Sequence, residues 1–333
     1  MDKVLTVVIP AYNVGKYVKK TLDSFLDKSI LNDIEVLVVD DGSQDDTAKI
    51  AQEYQEKYPQ TFHLIQKENG GHGSTINRGI EVASGKFFKV VDGDDWVNTK
   101  DFVKLVNSLK HCNSDYVFTN YCEVYEPDFT IKEKGFSLID SKEYLFESIC
   151  SDIQIPMHAL VIRTSILKDH HIRLDEHCFY VDVEYILYPI PYVSTVTFFN
   201  LYVYMYRLAI STQSVSTVGY QKHMKDHISV IMHLLDFLNQ YEANGASYEK
   251  KRYIVQRISE MVLTQSAIYG SYSVTADKEM KKSFIVFDQA VKAKNNMVYQ
   301  FAEQSSGKLR ALHKAHFHFY ALISYFSRIR NLR

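Results

Sequence analysis

The sequence predicts an α/β fold, in which a mostly parallel sheet carries helices on both faces and a helical C-terminal region follows it. In the first hundred residues, short apolar runs alternate four times with segments of helical periodicity. This alternation is typical of parallel sheets covered by helices. From residue 222 onward helical periodicity dominates. We therefore expect two regions, residues 1–215 and 216–333.

Four apolar runs are expected to form the strands of the first region. The first, at residues 4–9, is predicted to be buried on both faces, and the second, at residues 34–39, is also predicted to be buried. The third and fourth lie at residues 62–65 and 87–91. Helices are predicted between them, because apolar side chains recur there at helical spacing, at residues 16–27, 45–58 and 74–84. Beyond residue 101 the pattern is mixed, with strand-like stretches at residues 116–120, 159–163 and 195–206.

Composition excludes several classes of protein. A net charge of -2 argues against nucleic acid as the main partner, since such proteins usually carry a basic patch. None of the four cysteines forms a C-x-x-C pair, which argues against a zinc knuckle or a redox motif. There is no secretory signal at the start and no run of about 18 apolar residues that could span a membrane. These features predict a cytoplasmic protein.

The sharpest signal is the acidic turn Asp92-Gly93-Asp94-Asp95, directly after the fourth apolar run. Carboxylates this close repel one another, and a hard divalent cation such as Mn²⁺ or Mg²⁺ relieves the repulsion and can also bridge phosphates. Gly93 permits close backbone approach. A solvated acidic turn is the alternative, but the other polar clusters at the same sheet edge favour a functional site.

Two further polar clusters follow the first and second strands. The first is Pro10-Ala11-Tyr12-Asn13, and the second is Asp40-Asp41-Gly42-Ser43. A carboxylate in the second cluster can accept a hydrogen bond from a base or ribose, or it can cap the turn. Both roles remain open, with one aspartate capping and the other binding.

A glycine-rich loop, Asn69-Gly70-Gly71-His72-Gly73-Ser74, precedes a predicted helix. Such a loop can hold phosphate at the helix N-terminus. It is neither G-x-G-x-x-G nor a P-loop, because it lacks the P-loop lysine, so dinucleotide and Walker-type sites are excluded. A histidine in a loop more often faces solvent, and we assign His72 no role.

Together these clusters resemble the inverting family 2 glycosyltransferases with a GT-A fold, over roughly the first 215 residues. The resemblance implies that residues 10–13 surround the nucleotide base and that Asp41 contacts uracil. It also implies that the acidic turn is the family's metal and ribose motif, with Asp92, Gly93 and Asp94 contacting the nucleotide sugar and Asp94 or Asp95 the metal.

The chain departs from the family pattern at two places. Ile76 occupies the usual arginine position of Arg-Asn-x-Gly, although Asn77 matches. Asn69 and Gly70 of the loop, with Asn77, are expected to contact the nucleotide sugar. The Glu-Asp pair of the family is reduced here to Asp182, with Glu184 as the alternative general base. Inversion needs a carboxylate to take the proton of the acceptor hydroxyl; a helix cap is the other role open to Asp182.

Arg207, with Gln213 and Ser214, resembles a family segment that folds over the donor phosphates; a surface arginine at a strand end is the alternative. The tail from Lys308 to Arg333 mixes bases with aromatic residues and has no acidic residue. It predicts packing against a helix or a second subunit rather than contact with an anionic membrane surface at the inner face, although both stay open.

The sequence thus predicts transfer of a sugar from a uridine diphosphate sugar to an acceptor hydroxyl, in glycan or glycoprotein assembly. The helical region would shape the acceptor end or build a homo-oligomer. Two alternatives stay open: a metal-dependent nucleotidyltransferase, which would release pyrophosphate, and a scaffold that binds nucleotide without catalysis.

Overall fold

The computed structural model describes residues 3–208, 216–272, 277–322 and 324–325. Its internal contacts divide the chain into two compact units, residues 1–210 and 211–333. The boundary predicted after residue 215 falls at the end of the segment 209–215, outside the described residues. No helix within the described ranges is both long and apolar enough to cross a membrane. All four cysteines carry free thiols.

The first unit is an α/β fold. Its strands are β1 Leu5–Ala11, β2 Ile34–Asp40, β3 Phe62–Gln66, β4 Phe87–Val90, β5 Trp96–Val97, β6 Tyr116–Tyr125, β7 Thr130–Lys134, β8 Lys142–Leu145, β9 Leu160–Arg163 and β10 Thr195–Leu208. Its helices are α1 Val18–Asp23, α2 Thr47–Lys57, α3 His72–Val82, α4 Thr99–Leu109, α5 Thr164–Asp169 and α6 Asp182–Leu187.

One sheet contains all ten strands, in the order β3-β2-β1-β4-β9-β6-β10-β5, with β7 beside β6 and β8 beside β10. The four strands predicted from the first hundred residues pair in parallel, and all residues of β1 and β2 are buried, as expected for strands covered on both faces. The sheet becomes mixed beyond them, because β9 runs antiparallel to both β4 and β6. The prediction of a mostly parallel sheet therefore holds for the first half of the unit.

One predicted helix is shorter in the structure, and one helix lies where none was predicted. Helix α1 is shorter than the predicted range 16–27, because after Asp23 the backbone changes to bonds that reach back three residues, such as Phe25 N–H to the Leu22 carbonyl at 3.1 Å. Helix α4 lies in the stretch whose pattern is mixed. Its buried residues Phe102, Leu105, Val106 and Leu109 do follow helical spacing.

The second unit is helical, as predicted. Its helices are α7 Thr217–Lys222, α8 Met224–Ala243, α9 Tyr248–Tyr269, α10 Asp277–Lys294, α11 Asn296–Ser305 and α12 Gly307–Lys314. From the predicted tail, Leu309, Leu312, Phe317 and Tyr320 are buried within this unit. Packing within the unit is therefore the observed role of these side chains. The bases Arg328, Arg330 and Arg333 lie outside the described residues.

A histidine joins three helices of the second unit. His313 Nε2 lies 2.8 Å from Asp288 Oδ1, and its Nδ1 lies 2.9 Å from Glu303 Oε1, with the side chain of His313 only 8% exposed. Burial lowers the pKa of His313, but the hydrogen bonds and charges of Asp288 and Glu303 outweigh it and raise the pKa above the usual value. The protonated histidine is therefore stabilised by folding.

This raised pKa predicts a pH-dependent stability. A histidine with a raised folded-state pKa stabilises the fold fully below its unfolded value of about 6.5, and the contribution is lost as pH rises through the raised value. We expect His313→Gln to lower the melting temperature more at pH 6 than at pH 8.5. The exposed His318→Gln should change it equally at both pH values. An equal loss for His313→Gln at both pH values would show that only its packing matters.

Candidate active site

The acidic turn lies at the carboxyl end of β4, where it meets the end of β1. A Cβ on Gly93 would stand 2.9 Å from Val14 Cγ2 and 3.0 Å from the Pro10 carbonyl oxygen, so the close approach requires glycine. Asp95 is 1% exposed, and its two carboxylate oxygens accept hydrogen bonds from Tyr204 Oη at 2.6 Å and from the Arg207 backbone N–H at 2.7 Å. Asp95 therefore ties the turn to β10.

The carboxylates of the turn lie close enough for their charges to act on one another. Burial raises the pKa of Asp94 to about 6, and the charge of Asp92 adds to this effect. Burial also raises the pKa of Asp95, with the charges of Asp94 and Asp92 adding to it. The residues present thus fit a divalent cation, because crowded carboxylates with raised pKa values are relieved by positive charge. Among the described residues, Asp92 and Asp95 accept hydrogen bonds from β10, whereas the Asp94 side chain accepts none from that strand.

No role was predicted for His72, yet it lies beside the acidic turn. Its Nε2 lies 2.9 Å from Asp92 Oδ1. Burial lowers the pKa of His72, but the hydrogen bond and charge of Asp92, with the charges of Asp182 and Asp94, raise it overall. The first turn of α3 therefore holds a histidine among three carboxylates. The sequence signal that could have pointed to His72 is the glycine loop around it, because helix α3 begins in that loop at this edge of the sheet.

Asp41 holds the glycine loop. Its Oδ1 accepts from Lys67 Nζ at 2.8 Å and from Gly70 N–H at 2.9 Å, and its Oδ2 accepts from Gly71 N–H at 2.8 Å. Asn69 Nδ2 donates to the Asp41 carbonyl at 3.0 Å. The carboxylate is therefore engaged within the protein and positions the loop. Its predicted contact with uracil stays a prediction. The neighbouring Asp40 accepts from the Ser43 N–H at 3.3 Å, as a turn cap does.

The glycine loop also packs on the segment 174–178, which leads toward Asp182. A Cβ on Gly73 would stand 2.0 Å from the Asp175 carbonyl oxygen. Asn77 donates through Nδ2 to the Leu174 carbonyl and accepts through Oδ1 from the Leu174 N–H, both at 2.9 Å. Asn77 thus fastens the segment, and the phosphate contact expected of it stays a prediction.

This packing predicts that Gly73→Ala disturbs the site. The added methyl overlaps a backbone oxygen, so the segment 174–178 must shift, which for overpacked sites costs about 1–3 kcal/mol. We expect a lower melting temperature and a lower turnover, because the segment positions Asp182. Gly307→Ala is the matched control, since nothing lies within 4 Å of its Cβ. Unchanged stability of Gly73→Ala would contradict the close contact.

Asp182 begins helix α6 and lies among the other carboxylates of the site. Burial raises the pKa of Tyr206, and the charges of Asp95, Asp92, Asp182 and Asp94 add to it, so all four carboxylates lie near its hydroxyl. Glu184, the alternative base, is fully buried, and its Oε2 accepts from the Asp175 N–H at 2.8 Å. Burial raises the pKa of Glu184 to about 8. Glu184 is therefore a buried structural acid that an acceptor cannot reach.

Arg207 is buried rather than exposed at the strand end. It is 4% exposed, its Nε donates to the Asp94 carbonyl at 2.7 Å, and its guanidinium pairs with Glu126. Its guanidinium carbon lies 4.7 Å and 4.8 Å from the ring centroids of Tyr17 and Trp96. In this arrangement Arg207 supports the acidic turn, and its contact with a diphosphate stays a prediction. Gln213 and Ser214 lie outside the described residues.

The end of β1 presents an aromatic ring to solvent. Tyr12 is 53% exposed, while Ala11 is buried and accepts the Asp41 N–H through its carbonyl at 2.8 Å. Asn13 has a φ of 54° and joins the ends of β1 and β2, because its N–H donates to Ser43 Oγ and its Oδ1 accepts from the Gln44 N–H. Tyr12 is therefore free to stack on a flat ligand at this edge.

Comparisons with known proteins show which family and which relatives this sequence resembles. Residues 6–169 match the family model described as Glycosyl transferase family 2. The chain is 33% identical over 128 residues to Glycosyltransferase GlyG of Streptococcus pneumoniae, covering 38% of this chain and 42% of that protein. It is 34% identical over 117 residues to Uncharacterized glycosyltransferase EpsJ of Bacillus subtilis, covering 35% and 33%. The matched segment thus spans less than half the length of these relatives.

Solved structures resemble the chain over nearly its whole length. S. aureus TarS 1-349 in complex with UDP-GlcNAc aligns with a TM-score of 0.59 and 19% identity, covering 98% of this chain and 89% of that one. The mannosyltransferase PcManGT from Pyrobaculum calidifontis, in complex with GDP-Man and Mn²⁺, aligns with a TM-score of 0.53 and 14% identity, covering 100% and 89%. At these identities the likeness shows a shared fold.

Proposed function

We propose that this chain, whose residues 6–169 match glycosyl transferase family 2 and whose fold is GT-A-like, transfers a sugar from a uridine diphosphate sugar to an acceptor hydroxyl with inversion. The observation that carries the proposal is the convergence of Asp92, Asp94, Asp182 and His72 at one edge of the sheet. A cation site and a separate carboxylate are the two elements that such a displacement needs.

The proposed donor site runs along the carboxyl ends of β1, β2 and β4. Tyr12 would stack on the base, and residues 10–13 would surround it. The S. aureus neighbour was solved with UDP-GlcNAc and the archaeal one with GDP-Man. We favour a uridine donor because of the family resemblance around Asp41. In this chain Asp41 would act on the base through the loop of Asn69 and Gly70 that it holds.

We propose that Asp94 and the neighbouring carboxylates hold Mn²⁺ or Mg²⁺. Such a cation, when bound, offsets the negative charge of a leaving diphosphate. Arg207 would keep the turn in place through the Asp94 carbonyl. Asp95 would do the same through β10, and its carboxylate would also face the ion.

Asp182 is the proposed general base. It would accept the proton of the acceptor hydroxyl as the oxygen attacks the anomeric carbon on the face opposite the diphosphate. The charges of Asp182, Asp92 and Asp94 all help to raise the pKa of His72, so the proposed base lies beside the proposed cation site. Its place at the first residue of a helix fixes its backbone.

The acceptor is proposed to be a glycan or glycoprotein hydroxyl, and the helical second unit to shape the acceptor end or to form a homo-oligomer. Contact of its basic tail with the inner face of a membrane is the less favoured role. Light scattering and flotation with anionic vesicles, applied to the full chain, separate oligomer formation from membrane contact: a dimer mass supports the former, and co-flotation supports the latter.

A donor assay tests the proposed activity. Purified protein with Mn²⁺ is incubated with a set of uridine, guanosine and thymidine diphosphate sugars, and release of nucleoside diphosphate is measured with and without an acceptor mixture. We expect release from a uridine diphosphate sugar, and NMR of the product should show an inverted anomeric centre. Pyrophosphate release from a nucleoside triphosphate would instead support a nucleotidyltransferase. Nucleotide binding without release from any donor would support a scaffold.

A further inference from the structure

We propose that His158 supplies an imidazole nitrogen to the divalent cation of the acidic turn, so that the site combines oxygen and nitrogen ligands. A ring nitrogen of His158 and carboxylate oxygens of Asp92 and Asp95 all lie within 4.8 Å of one another. Two ligands at about 2.2 Å from one ion lie at most about 4.4 Å apart, so shifts of a few tenths of an ångström would bring these atoms to the metal–ligand distances found in proteins. This inference rests on the proposed function, which requires a cation at the turn.

The ring of His158 is fixed by three tyrosines. It stacks on Tyr206 with a centroid distance of 4.0 Å and an interplanar angle of 28°, and on Tyr121 at 5.7 Å and 29°. The edge of Tyr204 meets it at 4.9 Å and 69°. Tyr204 also donates to Asp95. The same side chain therefore positions the imidazole and one of the carboxylates, which is how supporting residues orient metal ligands.

A buried lysine fixes the backbone of His158. Lys89 on β4 is fully buried, and its Nζ donates to the His158 carbonyl at 2.8 Å and to the Leu160 carbonyl at 3.3 Å. An ammonium group is costly to bury unless hydrogen bonds compensate it. Lys89 therefore ties the 3₁₀ turn Met157–Ala159 to β4, the strand that ends at the acidic turn.

The carboxylate of Asp95 can bind the ion although both its oxygens already accept hydrogen bonds. A carboxylate oxygen has two lone pairs, so each retains one for an ion. His72 differs from His158 in its position relative to Asp95. It contacts Asp92 at 2.9 Å, but it does not belong to the group of three ligand atoms around Asp95. Only His158 is therefore expected to reach the ion.

A nitrogen ligand has a chemical consequence. Mg²⁺ prefers oxygen ligands, whereas imidazole suits transition ions, for which affinity rises from Mn²⁺ to Co²⁺ and beyond. The site should therefore bind Mn²⁺ more tightly than Mg²⁺. His158→Asn should weaken Mn²⁺ binding by about tenfold or more, as loss of a ligand or its support does. It should leave Mg²⁺ binding within about twofold, because an oxygen-binding ion depends less on the imidazole.

The direct test is electron spin echo spectroscopy of Mn²⁺ bound to the full, tag-free protein with uridine diphosphate. We expect ¹⁴N modulation in the wild type and in His72→Asn, and none in His158→Asn. Labelling the wild type with ¹⁵N-histidine should remove the ¹⁴N signal, which keeps the test decisive if His158→Asn does not fold. Bound Mn²⁺ without nitrogen coupling in the wild type, or unchanged coupling in His158→Asn, would overturn the inference and leave the proposed function intact. If no Mn²⁺ binds with the nucleotide, the metal step of the proposed function fails as well.

Discussion

Asp182→Asn is expected to lower turnover by about 10²–10⁴-fold, the usual contribution of a positioned general base. The amide keeps the shape of the side chain but cannot take a proton at neutral pH. Affinity for uridine diphosphate should barely change, because the lost interaction belongs to the transition state and the residues proposed to contact the nucleotide are others. Calorimetry with uridine diphosphate and a transfer assay measure both quantities on one sample.

Glu184→Gln is the matched control, two residues further along the same helix. Burial raises the pKa of Glu184 to about 8, which favours the neutral acid, so a neutral amide of the same shape is a conservative replacement. The amide oxygen can still accept the Asp175 N–H. We expect turnover within a few-fold of the wild type. If turnover survives in Asp182→Asn, the residue only caps α6. If affinity collapses together with turnover, Asp182 holds the donor or the fold.

The parts of the fold that follow from local pattern were predictable from sequence. Strands β1, β2 and β4 are buried, so each appears as a largely apolar run, and the acidic turn stands out because it follows such a run directly. The hairpin strand β7 is exposed and charged along its length, and no apolar pattern marks it. Burial on both faces thus made strands visible, and exposure hid them.

Roles that depend on contacts distant in sequence could not be predicted. Asn77 and Arg207 look like ligand contacts in sequence, yet Asn77 binds Leu174 and Arg207 binds Asp94 and Glu126, each far along the chain. His158 carries no local signal at all, because its partners come from β4, β6 and β10. Residue type and spacing identified the edge of the sheet that carries the candidate site. The contacts in the folded chain then distinguished the side chains proposed to meet a ligand from those bound within the protein.

Asp94→Asn is the other substitution with a large expected effect, because it removes the carboxylate proposed to meet the ion. Metal catalysis of this kind is worth several kcal/mol, so transfer should fall by about 10³-fold. A chelator added to the wild type should have the same effect, reversed by Mn²⁺. The substitution should leave the fold intact, since Asp95 and Arg207 hold the turn independently of the Asp94 side chain.

The pKa of Asp94 gives this prediction a second, independent readout. Burial raises that pKa to about 6, from an ordinary value of 3.8. An acid with a raised folded-state pKa binds a proton in the fold that the unfolded chain releases, so stability without metal falls as pH rises from about 4 to 6 and stays lower above that range. Mn²⁺ should restore stability where Asp94 is ionised. We therefore expect Mn²⁺ to raise the melting temperature more at pH 7.5 than at pH 5.

Asp94→Asn should abolish this pH-dependent effect of Mn²⁺ and, without metal at pH 7.5, melt higher than the wild type, because the buried charge is gone. Asp236→Asn in the second unit is the control: it removes the same charge from an exposed pair with Lys294, where the loss costs at most about 1 kcal/mol, and it should leave the response to Mn²⁺ unchanged. If Asp94→Asn still gains stability from Mn²⁺ at pH 7.5, the ion is held by Asp92 and Asp95 without Asp94. Full transfer activity of the wild type in excess chelator would remove the metal from the reaction altogether.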